Sequence, residues 1–263
     1  MPIPKNRIRE IRSLSQKKVR DELDLFVVEG LRLLEDAAES SFEIPEAFFT
    51  AAFESSPGGD HLMALLRARG TRCLQVTPRE LSQFADTVNA QGVLAVVRKR
   101  KESAGDLIRR TPPPALLVGL DGIADPGNLG SIVRSCDWFG AGGILLGRTS
   151  VDLYNPKVVR ATMGGIFHVP VVTGVDLPLA AVQAKEQGYR VYVADPRAAL
   201  SDADVRFPER SLMVFGNEAH GVSEDLSRVA DERVAIRRYG AAESLNVGVA
   251  CGILLSVHRR TYA

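Results

Sequence analysis

The stretch SLMVFGNEAHGVSEDLSRVADERVAIRRYGAAESLNVGVACGILLSV, residues 211–257, decides how this chain folds. It contains two apolar runs, at 211–216 and 233–236, that are typical of buried strands. Each run is followed by a polar loop that opens into a helix. In open α/β sheets, ligands bind beyond the carboxyl ends of the strands. We therefore expect the two loops to lie side by side and to form one site.

The rest of the chain repeats this alternation of strand and helix. Apolar runs predict further strands at 115–120, 144–146, 169–172 and 191–194. Such runs are typical of strands buried on both faces, so we expect a mostly parallel sheet covered by helices. Residues 1–98 predict a smaller αβ domain with strands at 25–28, 47–50, 73–76 and 93–97, the last preceded by a loop at 89–92. Residues 99–114, charged and ending in three prolines, are the predicted linker, which leaves 115–263 as the second domain.

Composition excludes several classes of protein. The chain has 263 residues, 45% hydrophobic and 25% charged, which is typical of an ordinary globular protein. No apolar run approaches the roughly 20 residues of a membrane span. The start lacks the apolar segment of a secretory signal, so we expect a cytoplasmic protein. Cys73, Cys136 and Cys251 are widely separated and the histidines are dispersed, so we expect neither disulfides nor a metal site.

The basic residues are clustered although the net charge is only +1. The first 20 residues contain seven lysines and arginines but only one acidic residue, Glu10. A second basic cluster stands at 98–101. Such clusters indicate local contacts with nucleic acid, but a solvated helix face followed by a charged linker explains them equally well. The candidate RNA contacts are Lys5, Arg7, Arg9, Lys17, Lys18, Arg20 and, further along the chain, Arg160.

The last predicted helix, beginning near residue 245, carries small residues at every fourth position. Gly248, Gly252 and Ser256 form one face without bulk. This face predicts close packing against a sheet or another helix.

The usual signatures of nucleotide and hydrolase sites are absent from the sequence. There is no phosphate-binding P-loop, no dinucleotide fingerprint after a strand, no Gly-x-Ser-x-Gly and no His-Glu-x-x-His. Kinase chemistry, hydride transfer and zinc hydrolysis therefore lose support.

Three polar loops remain, and together they resemble a known family. The segments DPGNLGSIVR at 125–134, FGNEAHGVS at 215–223, and Ile236 followed by ESLNV at 243–247 resemble, in order, the three motifs of the SpoU (TrmH-like) branch of the SPOUT RNA methyltransferases. The resemblance covers residue 115 to the C-terminus. The N-terminal part, with FVVEG at 26–30, resembles the RNA-binding domain that precedes the catalytic domain in many members.

The resemblance implies a fold and a reaction. The fold would be α/β, a mostly parallel sheet with a C-terminal trefoil knot, preceded by a smaller αβ RNA-binding domain. The reaction would be methyl transfer from S-adenosylmethionine to a ribose 2′-hydroxyl of RNA, carried out by a homodimer. Ribosomal RNA is favoured as the substrate because of the RNA-gripping N-terminal domain. Transfer RNA is one alternative, and a non-catalytic RNA-binding protein with a vestigial methyltransferase domain is another.

The same resemblance implies roles for individual residues. The catalytic set would be Arg134, Asn128, Glu218, Ser244 and Asn246. The cofactor would be held by Phe215, Gly216, Asn217, Gly221, Ile236, Ser244 and Leu245.

The chemistry of these groups narrows some of the roles. Arg134 would act at the hydroxyl and its flanking phosphate; base action stays open, but a guanidinium stays protonated in proteins, which favours a phosphate clamp. Glu218 would orient Arg134 or a substrate hydroxyl. Asn128 and Ser244 have a structural alternative, since either residue type is a common helix N-cap.

Overall fold

The structure, a computed structural model, describes residues 3–86 and 91–262. The chain divides into two compact units. Unit 1 comprises Met1–Arg100 and Asp152–His168, and unit 2 comprises Lys101–Val151 and Val169–Ala263. The segment 152–168, which we expected within the second domain, thus packs with unit 1. Asn89 and Ala90, expected in a loop, lie outside the described residues.

The strands and helices are numbered in chain order. The strands are β1 Leu25–Glu29, β2 Glu46–Phe49, β3 Arg72–Gln75, β4 Val93–Arg98, β5 Ala115–Asp121, β6 Gly143–Gly147, β7 Val171–Val175, β8 Arg190–Ala194, β9 Leu200–Ser201, β10 Arg210–Gly216 and β11 Glu232–Ala235. The helices are α1 Lys5–Ser13, α2 Lys17–Leu23, α3 Leu31–Glu39, α4 Ala51–Glu54, α5 Gly59–Ala68, α6 Pro78–Leu81, α7 Ala104–Arg110, α8 Pro126–Trp138, α9 Pro156–Ala161, α10 Gly165–His168, α11 Leu177–Glu186, α12 Glu224–Val229 and α13 Val247–Thr261.

Unit 1 is built on a four-stranded sheet in the order β1-β4-β2-β3. β4 pairs antiparallel with both β1 and β2, and β2 pairs parallel with β3. The inner strands β4 and β2 bury almost every side chain, whereas the edge strand β1 buries only Phe26 and Val28. This alternation at an edge is what a period of two produces when one face meets the core. The four predicted strands are all present.

The inserted segment 152–168 is held in unit 1 by aromatic packing. The ring of Phe26 lies 4.7 Å from the ring of Tyr154 and 6.5 Å from that of Phe167, measured between centroids. Phe167 also meets Phe42 edge-on at 5.2 Å. Aromatic pairs at these separations stabilise a core beyond their burial. Because the contacts join residues more than a hundred positions apart, no local pattern in the sequence indicates them.

Arg20 has a structural role in unit 1 that the sequence pattern did not reveal. The residue is 2% exposed. Nη1 donates to the backbone carbonyls of Leu14 and Ser15, both at 2.7 Å, while Nε and Nη2 donate to Asp152 Oδ2 at 3.0 and 2.5 Å. The expectation of an RNA contact at Arg20 is therefore not carried forward, because the guanidinium is buried and its donors already have partners.

Unit 2 contains a seven-stranded sheet in the order β7-β6-β5-β10-β8-β11-β9, and every pairing in it is parallel. The parallel sheet predicted from the apolar runs is confirmed. The two loops of the opening stretch are not immediate neighbours, however, because β8 lies between β10 and β11. Apolar runs report that a strand is buried but carry no information about which strand lies beside it.

The predicted linker contains a helix that belongs to the core of unit 2. Ser103 caps α7, its Oγ accepting from the backbone N–H of Asp106 at 3.1 Å. Leu107 and Ile108 are fully buried in the core on the side of the sheet that α11 covers. One apolar pair in a charged segment is too short a signal for helical periodicity, so the sequence pattern indicated a linker here.

The small-residue face of α13 packs against α8. A side chain on Gly248 would begin 3.2 Å from Ser131 Cβ, and one on Gly252 would begin 3.6 Å from Ser135 Oγ. At its other end, Arg259 donates to the backbone carbonyls of residues 139 and 140, which follow α8. The helix packing predicted from the spacing of small residues is thus present, with α8 as the partner.

Candidate active site

The first motif forms the start of α8. Asp125 is the N-cap: its Oδ1 accepts from the backbone N–H of Asn128 at 2.8 Å, and Pro126 occupies the first turn, where it needs no N–H partner. Asn128 is therefore not the cap. Its side chain is half-buried and available for another contact.

The second motif is a tight loop after β10. The backbones of Asn217 and Gly221 exchange two hydrogen bonds, at 3.0 and 2.8 Å. The side chain of Asn217 donates to the carbonyl of Gly122 at 2.8 Å and accepts from two backbone amides inside its own loop. Gly216 has no room for a side chain, since a Cβ would lie 2.2 Å from the carbonyl carbon of Gly221. This loop holds Glu218 at its exposed tip, shortly beyond the buried end of β10.

The third motif ends in the cap of α13. Asn246 is the N-cap, and its Oδ1 accepts from the backbone N–H groups of Gly248 and Val249 at 2.9 and 3.3 Å. The structural alternative that we considered for Ser244 does not apply, because the helix begins beyond it. Ser244 is exposed and makes no hydrogen bond with any described residue.

A chain of hydrogen bonds joins the three motifs. Asn128 Nδ2 donates to Glu218 Oε1 at 2.5 Å, and Asn246 Nδ2 donates to Asn128 Oδ1 at 2.7 Å. The direction of the chain is fully determined. An ionised carboxylate only accepts, so the amide NH₂ of Asn128 must face Glu218, and its oxygen must face Asn246. The loops of α8, β10 and α13 therefore meet in one polar cluster.

Arg134 stands apart from this cluster. It lies on α8 six residues beyond Asn128, about 9 Å further along the helix axis. Its guanidinium is exposed and makes no hydrogen bond or ion pair with any residue that the structure describes. Glu218 makes no hydrogen bond or ion pair with Arg134; its Oε1 bonds Asn128. Arg134 is thus a free cation, suited to an incoming anion such as a phosphate.

The loop between β11 and α13 has the surface that an adenosyl cofactor needs. Ile236 is half-buried, while Leu245 and Tyr239 are 50% and 89% exposed. The backbone amides of residues 240–245 donate no hydrogen bond to any described residue. Exposed apolar side chains beside unsatisfied peptide groups fit a flat, aromatic ligand with polar edges. The residues at this place therefore fit S-adenosylmethionine.

A third loop reaches the same edge of the sheet and was missed by sequence reasoning. Because β8 lies between β10 and β11, the residues after β8 emerge between the two predicted loops. Asp195 fixes the turn: its Oδ1 accepts from the backbone N–H of Arg197 at 2.9 Å, and its Oδ2 accepts from Arg233 at 3.0 Å. The strand itself was predicted, but only its place in the sheet makes its loop part of the site region.

The basic residues of unit 1 differ in how far they are already paired. Lys5 and Arg9 are exposed and have no partner among the described residues. Arg7 is held by the carboxylates of Glu10 and Glu46. Three further ion pairs are Lys17–Asp21 at 2.5 Å, Lys18–Glu22 at 3.8 Å and Arg160–Asp86 at 2.5 Å. Exposed pairs of this kind are weak and can open for a stronger anion.

Two further properties bear on function. Within residues 3–86 and 91–262, no group of three or more His, Cys, Asp and Glu side chains is placed to hold a metal ion. No helix in this part of the chain is both long and apolar enough to cross a bilayer.

The fold and the site define a class: an α/β enzyme with its polar loops at the carboxyl edge of a parallel sheet. Residues 115–256 match the model of the SpoU rRNA Methylase family. Residues 5–95 match the MRM3-like substrate binding domain. The chain belongs to the SpoU rRNA methylase family.

Known relatives resemble the chain over nearly its whole length. An uncharacterized tRNA/rRNA methyltransferase of Synechocystis is 31% identical, with 96% of this chain and 90% of the relative covered. The 23S rRNA (guanosine(2553)-2′-O)-methyltransferase RlmP of Bacillus subtilis is 29% identical, covering 95% and 94%. Among solved structures, the AdoMet-bound rRNA methyltransferase from Sinorhizobium meliloti is 29% identical with a TM-score of 0.87, covering 100% and 98%.

Proposed function

We propose that this protein transfers a methyl group from S-adenosylmethionine to a ribose 2′-hydroxyl of ribosomal RNA. The observation that carries the proposal is the hydrogen-bonded chain Glu218–Asn128–Asn246, because it brings the three family motifs together at one point. The similarity to a 23S ribosomal RNA 2′-O-methyltransferase and to an AdoMet-bound structure supports the reaction and the cofactor.

The cofactor site is formed by the loops after β10 and β11. When bound, the cofactor supplies an electrophilic methyl group on a sulfonium sulfur. Ile236 and Leu245 would cover the adenine, and the free backbone amides of residues 240–245 would meet its polar edge. Phe215, Gly216, Asn217 and Gly221 would give the other wall its shape. Ser244 would bond the cofactor or the substrate ribose, since its hydroxyl is free among the described residues.

The acceptor side of the reaction depends on orientation. A hydroxyl attacks only when it is held in line with the methyl group, and orientation of this kind can contribute about 7–11 kcal/mol. Glu218 Oε1 is occupied by Asn128, while Oε2 makes no bond to a described residue. We assign Oε2 to the ribose 2′-hydroxyl, which would donate to it. Asn246 holds Asn128, and so holds the carboxylate in place.

Arg134 would bind the phosphate that flanks the target ribose. Its guanidinium is free, and a guanidinium stays protonated in proteins, so it acts as a clamp rather than as a base. A proton released from the hydroxyl would pass to the RNA phosphate or to Glu218.

Three features of the assembly are part of the proposal. We propose a homodimer, because α8 and α13 expose Trp138 and Val249 at 85% and 52%, apolar surface that a second copy would cover. We propose a trefoil knot in the C-terminal part, because the segments 125–134, 215–223 and 243–247 resemble the motifs of the knotted SPOUT methyltransferases. We propose a cytoplasmic location as well, because the proposed substrate is ribosomal RNA.

The proposal is tested with Arg134→Ala. This variant should bind S-adenosylmethionine in calorimetry like the wild type but lose methyl transfer to an unmodified 23S ribosomal RNA transcript. Arg109→Ala is the matched control, since Arg109 is an exposed arginine of unit 2 on α7, paired only with Asp106. Normal transfer by Arg134→Ala would refute its role.

The same assays separate the alternatives. A wild-type protein that gives no heat with S-adenosylmethionine would be a non-catalytic RNA-binding protein. If the protein methylates a transfer RNA transcript in preference to ribosomal RNA, transfer RNA is the substrate.

A further inference from the structure

Unit 1 contains a cavity that no step of the proposed methyl transfer uses. Its volume is about 310 Å³. It lies beside the edge strand β1 and is lined from four segments: α1 and the turn after it, β1, the residues that follow α6, and α9. Sites for small ligands begin at about 300 Å³, so the cavity has room for a group the size of a nucleotide and not for a helix.

The cavity has an apolar floor and a polar rim. Leu14, Phe84 and Val159 are buried at its floor, with the half-buried Val27 of β1 beside them. The rim carries hydroxyl, amide and carboxylate groups, those of Ser15, Ser82, Gln83 and Glu29. A flat aromatic ring with donors and acceptors at its edge matches this arrangement. The apolar side chains of the floor can pack against the face of the ring, and the polar groups of the rim can hydrogen-bond to its edge.

The wall opposite α1 is bridged by two exposed polar contacts. Arg160 Nη1 donates to Asp86 Oδ2 at 2.5 Å, and the backbone N–H of Asp86 donates to Glu29 Oε2 at 3.1 Å. These bonds tie α9, the residues after α6 and β1 together. The cavity is thus already formed and does not depend on a ligand to bring its walls together.

A stripe of unpaired cations on α1 leads to this cavity. Lys5, Arg9 and Arg12 are spaced four and three residues apart, which places them on one face of the helix. All three are exposed, and none has a partner among the described residues. Arg12 also lines the cavity. Arg7, on another face of the same helix, is instead paired with Glu46.

We propose that this cavity receives one unstacked base of the RNA substrate, while the neighbouring phosphates lie along Lys5, Arg9 and Arg12. The proposal rests on the proposed function in taking RNA as the substrate. The positive charge of the stripe favours a polyanion. The apolar floor of the cavity favours a base that is no longer stacked on its neighbours. A duplex alone would meet the cations but could not fill the cavity.

The test uses the full chain and a single-stranded RNA of about ten nucleotides with one central 2-aminopurine, whose fluorescence reports unstacking. Ser15→Trp and Ser82→Trp would fill the cavity from opposite sides, and both positions are exposed, so the fold should tolerate them. Ser55→Trp, exposed and outside the cavity, is the matched control. Losing one stacked base should raise Kd roughly 5- to 150-fold in the first two variants and remove the fluorescence change, with no effect in the control.

Changing Lys5, Arg9 and Arg12 together to Gln gives a second measurement. It should lower the slope of log Kd against log salt by about 2, since each phosphate that a cation neutralises on a single strand contributes roughly 0.7 to that slope. The fluorescence change at saturation should remain in this variant, because the cavity is intact.

Several outcomes would overturn the proposal. These are unchanged RNA binding in both tryptophan variants, weaker binding with the fluorescence change retained, or adenosine monophosphate filling the cavity without competing with RNA. Failure of the proposed function shows separately, as a wild-type protein that binds RNA but methylates no ribosomal RNA transcript.

Discussion

Asn246 has two tasks that a pair of substitutions can separate. Its Oδ1 caps α13, and its Nδ2 donates to Asn128. Asn246→Ala removes both functions. Asn246→Asp keeps an oxygen for the cap and places a negative charge at a helix N-terminus, which is favourable. It removes the donor, however, and sets a carboxylate against Asn128 Oδ1.

The two variants should therefore differ in stability but not in activity. Loss of the cap costs about 1 kcal/mol, so Asn246→Ala should lower Tm by about 2–4 °C. Asn246→Asp should unfold at the wild-type temperature or slightly above it. Turning the amide of Asn128 cannot rescue the aspartate variant, because its oxygen would then face Glu218.

Methyl-transfer activity reports on the second task of Asn246, the hydrogen bond to Asn128. Methyl transfer should fall about 10- to 100-fold in kcat/KM in both variants, because a displacement of about 1 Å at the reacting groups costs this much. The assay is transfer of labelled methyl to ribosomal RNA, beside thermal unfolding of the same preparations. Wild-type turnover in Asn246→Asp would refute the role of the hydrogen-bonded chain. A loss of stability equal to that of Asn246→Ala would refute the assignment of the cap.

Three other predictions concern the cofactor loop, the core of unit 2 and unit 1. Gly216→Ala should weaken S-adenosylmethionine binding at least about tenfold in calorimetry, because its Cβ would lie 2.2 Å from loop backbone and the loop must move; unchanged affinity would contradict this. Burial lowers the pKa of His258 to about 4, and both ring nitrogens lack a hydrogen-bond partner among the described residues. This pKa lies below the value of about 6.5 in an unfolded chain. The part of the free energy of unfolding that depends on a neutral His258 is therefore fully present above pH 6.5 and is lost as pH falls towards 4. His258→Phe should make Tm less sensitive to pH in that window, and identical acid profiles would speak against the effect. Arg20→Ala should destabilise the protein by about 3–5 kcal/mol, because it removes a buried guanidinium that bonds Asp152 and two backbone carbonyls. Lys18→Ala, which breaks an exposed pair, should change stability by less than about 0.5 kcal/mol; urea unfolding distinguishes the two.

Local patterns in the sequence predict more of the fold than of the contacts between its parts. The strands from β1 to β11 that are four residues or longer were predicted because each is an uninterrupted apolar or alternating run. The position of β8 between β10 and β11 was not predicted, since pairing is decided by segments far apart in the chain. The same limit applies to Arg20. A basic residue in a basic cluster looks like a surface residue until Asp152, 132 positions away, is placed beside it.

The same limit applies to the site, where local patterns predict the loops but not the contacts between them. The three motif loops and their convergence could be predicted, because parallel strands carry their loops to one edge. The capping residues could not, since Asp125 and Asn246 compete with nearby Asn128 and Ser244, and all four are of types that make good N-caps. Which of them caps depends on where the first turn begins. The bond from Asn128 to Glu218 joins residues 90 positions apart and has no local signature.

The place of β10 in the sheet has a consequence for how the protein is made. β5 and β8 have no direct pairing with each other, and β10 fills the gap between them. During synthesis, β8 therefore has no strand to pair with until β10 has left the ribosome. A stop codon shortly before residue 210 would not give a slightly shortened enzyme. It would give a chain that lacks both β10 and β11, in which β5 has an unpaired edge and β8 pairs with no strand. Such edges are open to pairing with other chains and make the chain a target for chaperones and proteases.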